Sequence, residues 1–171
     1  MRITTFILAM IAAMFTLSAA EEVNLVKNGD FSEGSKGWLL LKGATVCTDK
    51  ATGKNYVCIK QGQQAVQNVT VDPKADYLLT FKAKADNIDK NKYGHGARII
   101  IRGGKRFARG TVDPKGGCMI GSFDWKEGKC LLKGSVFSSN KIVLTLHLDV
   151  DGSCCFTDFK MVKVAAEKKA E

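Results

Sequence analysis

Along Lys141 to Asp149 (KIVLTLHLD), apolar and polar positions alternate. Ile142, Leu144, Leu146 and Leu148 fall on one side, with Val143, Thr145 and His147 on the other. Asp76 to Lys84 repeats the pattern, setting Tyr77, Leu79, Phe81 and Ala83 against Leu78, Thr80, Lys82 and Lys84. A period of two marks a strand with one buried face. Further strands are expected at 23–27, 39–47, 55–60, 64–71, 97–102, 117–123, 129–137 and 155–164. Between them lie turn formers: Asp72-Pro73, Asn87, Gly94, Gly103-Gly104, Asp113-Pro114, Gly116-Gly117 and Asp151-Gly152. Helical periodicity is missing from every run of ten or more residues outside the charged tail 165–171, which is expected to be disordered. Many short strands with regular turns predict an all-β sandwich.

The two ends of the chain narrow this to one domain at 21–164. Residues 1–20 read as a signal peptide. Arg2 supplies the positive start, Phe6 to Leu17 the apolar run, and Ser18-Ala19-Ala20 the small residues before a cut at Glu21. That apolar run is shorter than the roughly 20 residues a membrane span needs. Nothing later is apolar enough to insert, so the expectation is a secreted, periplasmic or cell-surface protein.

Export changes the meaning of the six cysteines, Cys47, Cys58, Cys118, Cys130, Cys154 and Cys155. They lack the CxxC pairs of a zinc ribbon, and disulfides are the first reading. The simplest pairings are local, Cys47–Cys58 and Cys118–Cys130, each closing a short loop worth about 3 kcal/mol. Cys154 and Cys155 form a vicinal bridge or, pointing to opposite faces of a strand, stand as one buried and one exposed thiol.

Charge then singles out one stretch. The whole chain has 26 basic and 17 acidic residues, a formal net charge of +9, which favours anionic partners. Gly96 to Gly110 (GARIIIRGGKRFARG) holds Arg98, Arg102, Lys105, Arg106 and Arg109 without an acid. Alternation turns Ile99 and Ile101 inward, so Arg98 and Arg102 share the outer face. Guanidinium groups suit carboxylate and sulfate because they donate paired hydrogen bonds. Lys82, Lys84 and His147 are outward on their own strands and are candidates for the same surface. A solvated basic edge strand would look similar.

The segment NLVKNGDFSEGSKGW at 24–38 gives a family resemblance. With its asparagine-glycine-aromatic turn and following Gly-Trp pair, it resembles the start of carbohydrate-binding modules of the family 4, 9 and 22 type. Val66 to Pro73 followed by Asp76 to Phe81 resembles the family's strand, proline turn and tyrosine-led strand. Trp125 ahead of Ser135-Val136-Phe137, and Phe156 to Met161 at the end, continue the match over about 24–164. The resemblance implies a galactose-binding-like jelly roll that binds polysaccharide without catalysis. It also implies a structural calcium held by an acid of the opening motif and an aspartate of the last strand. Asp158 falls at the latter position. Ser32 replaces the usual glutamate, leaving Glu33 or Asp30 to compensate.

Phe31, Trp38 and Trp125 are expected in the core, with Gly29, Gly34 and Gly37 letting the chain turn beneath them. Tyr93, Phe107 and Tyr56 then remain as sugar-stacking candidates. The candidate carbohydrate contacts are Arg98, Arg102, His147, Tyr93, Phe107 and Lys82. No G-x-S-x-G or H-E-x-x-H motif occurs, and Gly104-Lys105 lacks the upstream glycine of a phosphate loop. Nucleic-acid binding has only the net charge behind it, without basic and aromatic residues interleaved. The alternative to a glycan binder is a structural or adhesive envelope or matrix protein on the same sandwich.

Overall fold

A computed structural model describes residues 22–89, 95–104, 107–113 and 117–164. The leader, the tail, Tyr93, Lys105 and Arg106 lie outside the described residues. Among the described residues, ten strands form two five-stranded antiparallel sheets. They are β1 (Leu39–Leu41), β2 (Thr45–Thr48), β3 (Asn55–Lys60), β4 (Gln64–Thr70) and β5 (Asp76–Ile88), followed by β6 (Arg98–Arg102), β7 (Phe107–Gly110), β8 (Gly121–Leu132), β9 (Lys141–His147) and β10 (Ser153–Val164). The first sheet runs β1-β4-β9-β6-β7 and the second β2-β3-β10-β5-β8.

The alternation read from the sequence sets which faces meet. Ile142, Leu144 and Leu146 of β9 and Ile99 and Ile101 of β6 point inward from the first sheet. Tyr77, Leu79, Phe81 and Ala83 of β5 point inward from the second. They form one continuous core with Val57, Ile59, Phe156 and Met161. Burial of a side chain of this size stabilises by about 1.5–3 kcal/mol, which holds the two layers face to face.

The opening motif closes the end of this core. Phe31 is fully buried and lies 5.2 Å from Trp38, ring to ring, with Phe159 5.4 Å from Trp38. Asn28 organises the turn: its side-chain amide donates to the carbonyls of Gly34 and Lys36, and its Oδ1 accepts from the Glu33 amide. The indole N–H of Trp38 donates to the Asn28 carbonyl. Gly29 is required by contact rather than by dihedral, because a Cβ there would sit 2.1 Å from the Phe159 carbonyl oxygen. Buried Gln67 accepts from the Lys27 amide and donates to its carbonyl, tying the segment to β4.

Several expected elements differ from the observed ones. Segment 39–47 is two strands, because Lys42 and Gly43 turn with positive φ and send β1 and β2 to different sheets. Segment 23–27 forms no strand, although Leu25 donates to the Met161 carbonyl. The stretches 117–123 and 129–137 are replaced by one long β8, whose solvent-side polar residues and bulges obscure the alternation. β7 follows the Gly103-Gly104 turn as a strand additional to those expected from the sequence.

Trp125 is a correction: it is half-buried on the outer face of β8 and lies outside the core. The local disulfides are also corrected. The bond joins Cys58 to Cys155. Register explains this, because Cys58 lies opposite Thr45 in β2 and opposite Cys155 in β10, while Cys47 faces Tyr56. Cys47, Cys118, Cys130 and Cys154 are free thiols. Cys154 points into the core, where burial pushes its thiol pKa far upward.

Candidate functional site

The outer face of the first sheet carries three of the residues the sequence singled out, Arg98, Arg102 and His147. Register aligns Gln64, His147 and Arg98 in one row across β4, β9 and β6. A second row holds Val66, Thr145, Ile100 and Arg109, and a third Asn68, Val143, Arg102 and Phe107. Phe107 is thus placed by its backbone at the β7 edge. Gln64 Nε2 donates to His147 Nδ1 at 3.1 Å. Half-buried and close to the Arg98 guanidinium, His147 has a pKa held below its usual value.

Arg98 is not the open contact its alternation suggested. Its side chain is only 12% exposed, and Nη2 donates to Asp149 Oδ2 at 2.6 Å. Nη1 donates to His95 Nδ1 at 3.0 Å. Arg98 is thus committed to Asp149 and His95, whereas Arg102, exposed at the other end of β6, presents its charge to solvent. None of the five strands of this sheet contains an aspartate or glutamate.

Lys82 lies elsewhere. It is on β5, on the outer face of the second sheet, with Nζ 2.9 Å from Asp158 Oδ2. Both the contact with Asp158 and its charge raise the Lys82 pKa, with Glu127 adding to them. Lys84 pairs with Asp124 at 3.3 Å. The Trp125 amide and then Lys84 hold the Asp124 carboxyl below its ordinary range. Tyr56 and Trp125 meet on the same face with ring centroids 5.6 Å apart, edge to face. Beside these groups, a groove of about 980 Å³ runs over β10, β5 and β8 to the 111–113 segment. Tyr56 is a stacking candidate by sequence, but its pairing with Trp125 is not legible there, because only the fold brings β3 and β8 together.

The three proposed calcium ligands are engaged separately. Asp158 faces the Lys82 ammonium, and Glu33 pairs with Lys36. Asp30 accepts from the amide and hydroxyl of Ser32, which lower its pKa. Among the described residues, no group of three or more His, Cys, Asp or Glu converges as a metal site. Asp30, Glu33 and Asp158 are thus each engaged by a different neighbour.

The comparisons with known proteins agree with this architecture. No family model matches the chain, and a search of curated proteins finds no match. Among solved structures, it is similar to TmCBM61 in complex with β-1,4-galactotriose, at 15% identity and a TM-score of 0.56, over 83% of this chain and 99% of that one. A family 4 carbohydrate-binding module matches at 16% identity and a TM-score of 0.56, over 81% and 99%. A Stig cyclase from Fischerella sp. TAU matches at 14% identity and a TM-score of 0.52, over 85% and 100%. The chain has the jelly-roll β-sandwich fold of carbohydrate-binding modules, a fold that also serves a cyclase. Among the described residues, no helix is long and apolar enough to cross a membrane.

Proposed function

We propose that the chain is an exported, non-catalytic carbohydrate-binding module that holds polysaccharide on the outer face of the first sheet and favours acidic polymers. The observation that carries this reading is the acid-free composition of all five strands, with Arg102, Arg109 and Lys141 exposed on them. Gln64, Asn68 and Thr145 supply neutral hydrogen-bonding groups between the cations. The Gln64–His147 contact and the Arg98–Asp149 pair hold their row in place before a ligand arrives, which reduces the ordering cost of binding. The leader and the disulfide support an oxidising, extracytoplasmic setting.

The test is binding of polygalacturonate and a sulfated glucan to the chain from Glu21 onward, at low and high salt. Exposed charges are screened over about 8 Å at physiological ionic strength, so affinity falls as salt rises. Arg102→Ala lowers it further while the melting temperature stays constant. A second reading, a structural or adhesive envelope protein, draws on the lack of an aromatic ring among the described side chains of this face. Failure to bind either polymer at low salt favours that reading and overturns the first.

A further inference from the structure

We propose that the outer face of the second sheet is a second, independent glycan site, selective for neutral, hydroxyl-rich chains. It rests on the carbohydrate-binding reading but uses none of the residues assigned to the first sheet. Three observations carry it. The first is the groove itself, whose volume of about 980 Å³ falls within the roughly 300–1,000 Å³ of small-molecule sites.

The second is its charge balance. The lining holds Lys82, Lys129 and Lys160 together with Asp113, Glu127 and Asp158. An acidic or basic polymer gains no net attraction from such a set. A sugar diol does gain: one hydroxyl donates to a carboxylate while the other accepts from the adjacent ammonium. The Lys82–Asp158 pair, 2.9 Å apart, presents donor and acceptor side by side.

The third is the aromatic pair. Tyr56 and Trp125 are half-buried and lie on the Lys84–Asp124 side of Lys82. An aromatic face adjoining paired hydrogen-bonding groups matches a pyranose, which has an apolar C–H face and a polar rim. Further along β5 and β8, Leu78 and half-exposed Leu131 give the groove an apolar stretch. The groove is elongated enough for a linear oligosaccharide to fill along its length, and the aromatic pair, which is not part of its lining, extends the same face beyond Lys82.

Trp125 provides the readout. Trp38 is buried in the core, so a ligand on this face changes the emission of Trp125. The chain from Glu21 onward is titrated with neutral β-1,4-linked galacto-, xylo- and cello-hexasaccharides at high salt, following tryptophan emission and calorimetric heat. At least one binds with an emission change. Trp125→Ala weakens that binding by about thirtyfold or more, as loss of an aromatic anchor does. Trp125→Phe keeps a ring and retains most of it. Lys82→Met weakens binding about tenfold, the effect of losing a charged hydrogen-bond donor. Asp158→Asn does likewise while tolerating the left-handed backbone at this position, φ +55. Melting curves confirm that each variant is folded. Arg102→Ala leaves neutral binding unchanged, which separates this site from the first-sheet face. Absence of binding by all three hexasaccharides, or binding that survives Trp125→Ala in a folded protein, overturns the proposal. Neither outcome bears on acidic-polymer binding by the first sheet.

Discussion

The two outer faces of the sandwich use the same alternation and the same strand count, yet they solve the problem of surface charge differently. The first sheet has no carboxylate in any strand; the Arg98–Asp149 ion pair reaches to a residue beyond β9 and is largely buried. The second sheet sets lysines against carboxylates across neighbouring strands, as in Lys82–Asp158 and Lys84–Asp124, and leaves both partners wet. One face therefore projects a positive field, and the other presents local dipoles with little net field. The lesson is that a basic protein can carry a surface whose recognition chemistry is not governed by its net charge.

The largest expected effect is on the second sheet's frame. Cys58 and Cys155 enclose a sequence separation of 97 residues and join the central strand β10 to β3. Replacing both with serine costs about 4.7 kcal/mol by loop-closure entropy. Chemical denaturation of oxidised and variant protein measures it. An unchanged midpoint would show that the bond does not brace this layer.

Next comes the positioning role of Arg98. Arg98→Ala leaves the half-buried Asp149 carboxylate without its guanidinium, an expected loss of about 2 kcal/mol. Arg102→Ala, at an exposed position, shifts the same unfolding curve by less than about 0.5 kcal/mol. Equal losses from the two variants would erase the distinction between a positioning arginine and a ligand-facing one.

On the opposite face, the exposed Lys82–Asp158 pair contributes under about 1 kcal/mol, so Lys82→Met changes stability little. With the Lys82 ammonium already against Asp158, a calcium chelator is expected to leave the melting temperature where it was. A chelator-induced fall, abolished by Asp158→Asn, would show instead that this carboxylate serves an ion.

A further small effect, confined to one pH window, belongs to His147. Burial, then the Arg98 and Arg102 charges, lower its pKa from the usual 6.5, with Asp149 acting the other way. The unfolded chain therefore takes up this proton at a higher pH than the folded one. The His147 contribution is fully present above about 6.5 and is lost as pH falls from there through the lower folded value. His147→Gln flattens that part of the stability profile by less than about 1 kcal/mol, because the ring is only half-buried.

Much of the fold was legible in the residues. The period of two in Lys141–His147 and Asp76–Ala83 marked the core faces, and the order of motifs from Asn24 to Met161 marked the jelly roll. The grouping of faces was not legible, because alternation gives the side of a strand but not the sheet to which it belongs. Lys82 and Arg98 both point outward, and only topology puts them on opposite sides of the molecule. The same limit explains the disulfide: Cys58 and Cys155 meet through register between β3 and β10, which no sequence spacing encodes. Trp125 was assigned to the core by its motif, whereas bulges along β8 place it outside against Tyr56. Two faces with different selectivity would let one module bridge two polymers, with a gain in avidity only where those polymers are themselves joined.

The most direct test of this account is amide chemical-shift mapping of the uniformly labelled chain, from Glu21 onward, titrated separately with an oligogalacturonate and with the neutral hexasaccharide that binds best. The account predicts that the acidic ligand perturbs Gln64, Arg98, Arg102 and His147, with shifts that shrink as salt is raised. The neutral ligand perturbs Tyr56, Lys82, Trp125 and Asp158 at any salt concentration. Both ligands moving the same set of residues, or neither ligand moving any, would contradict it.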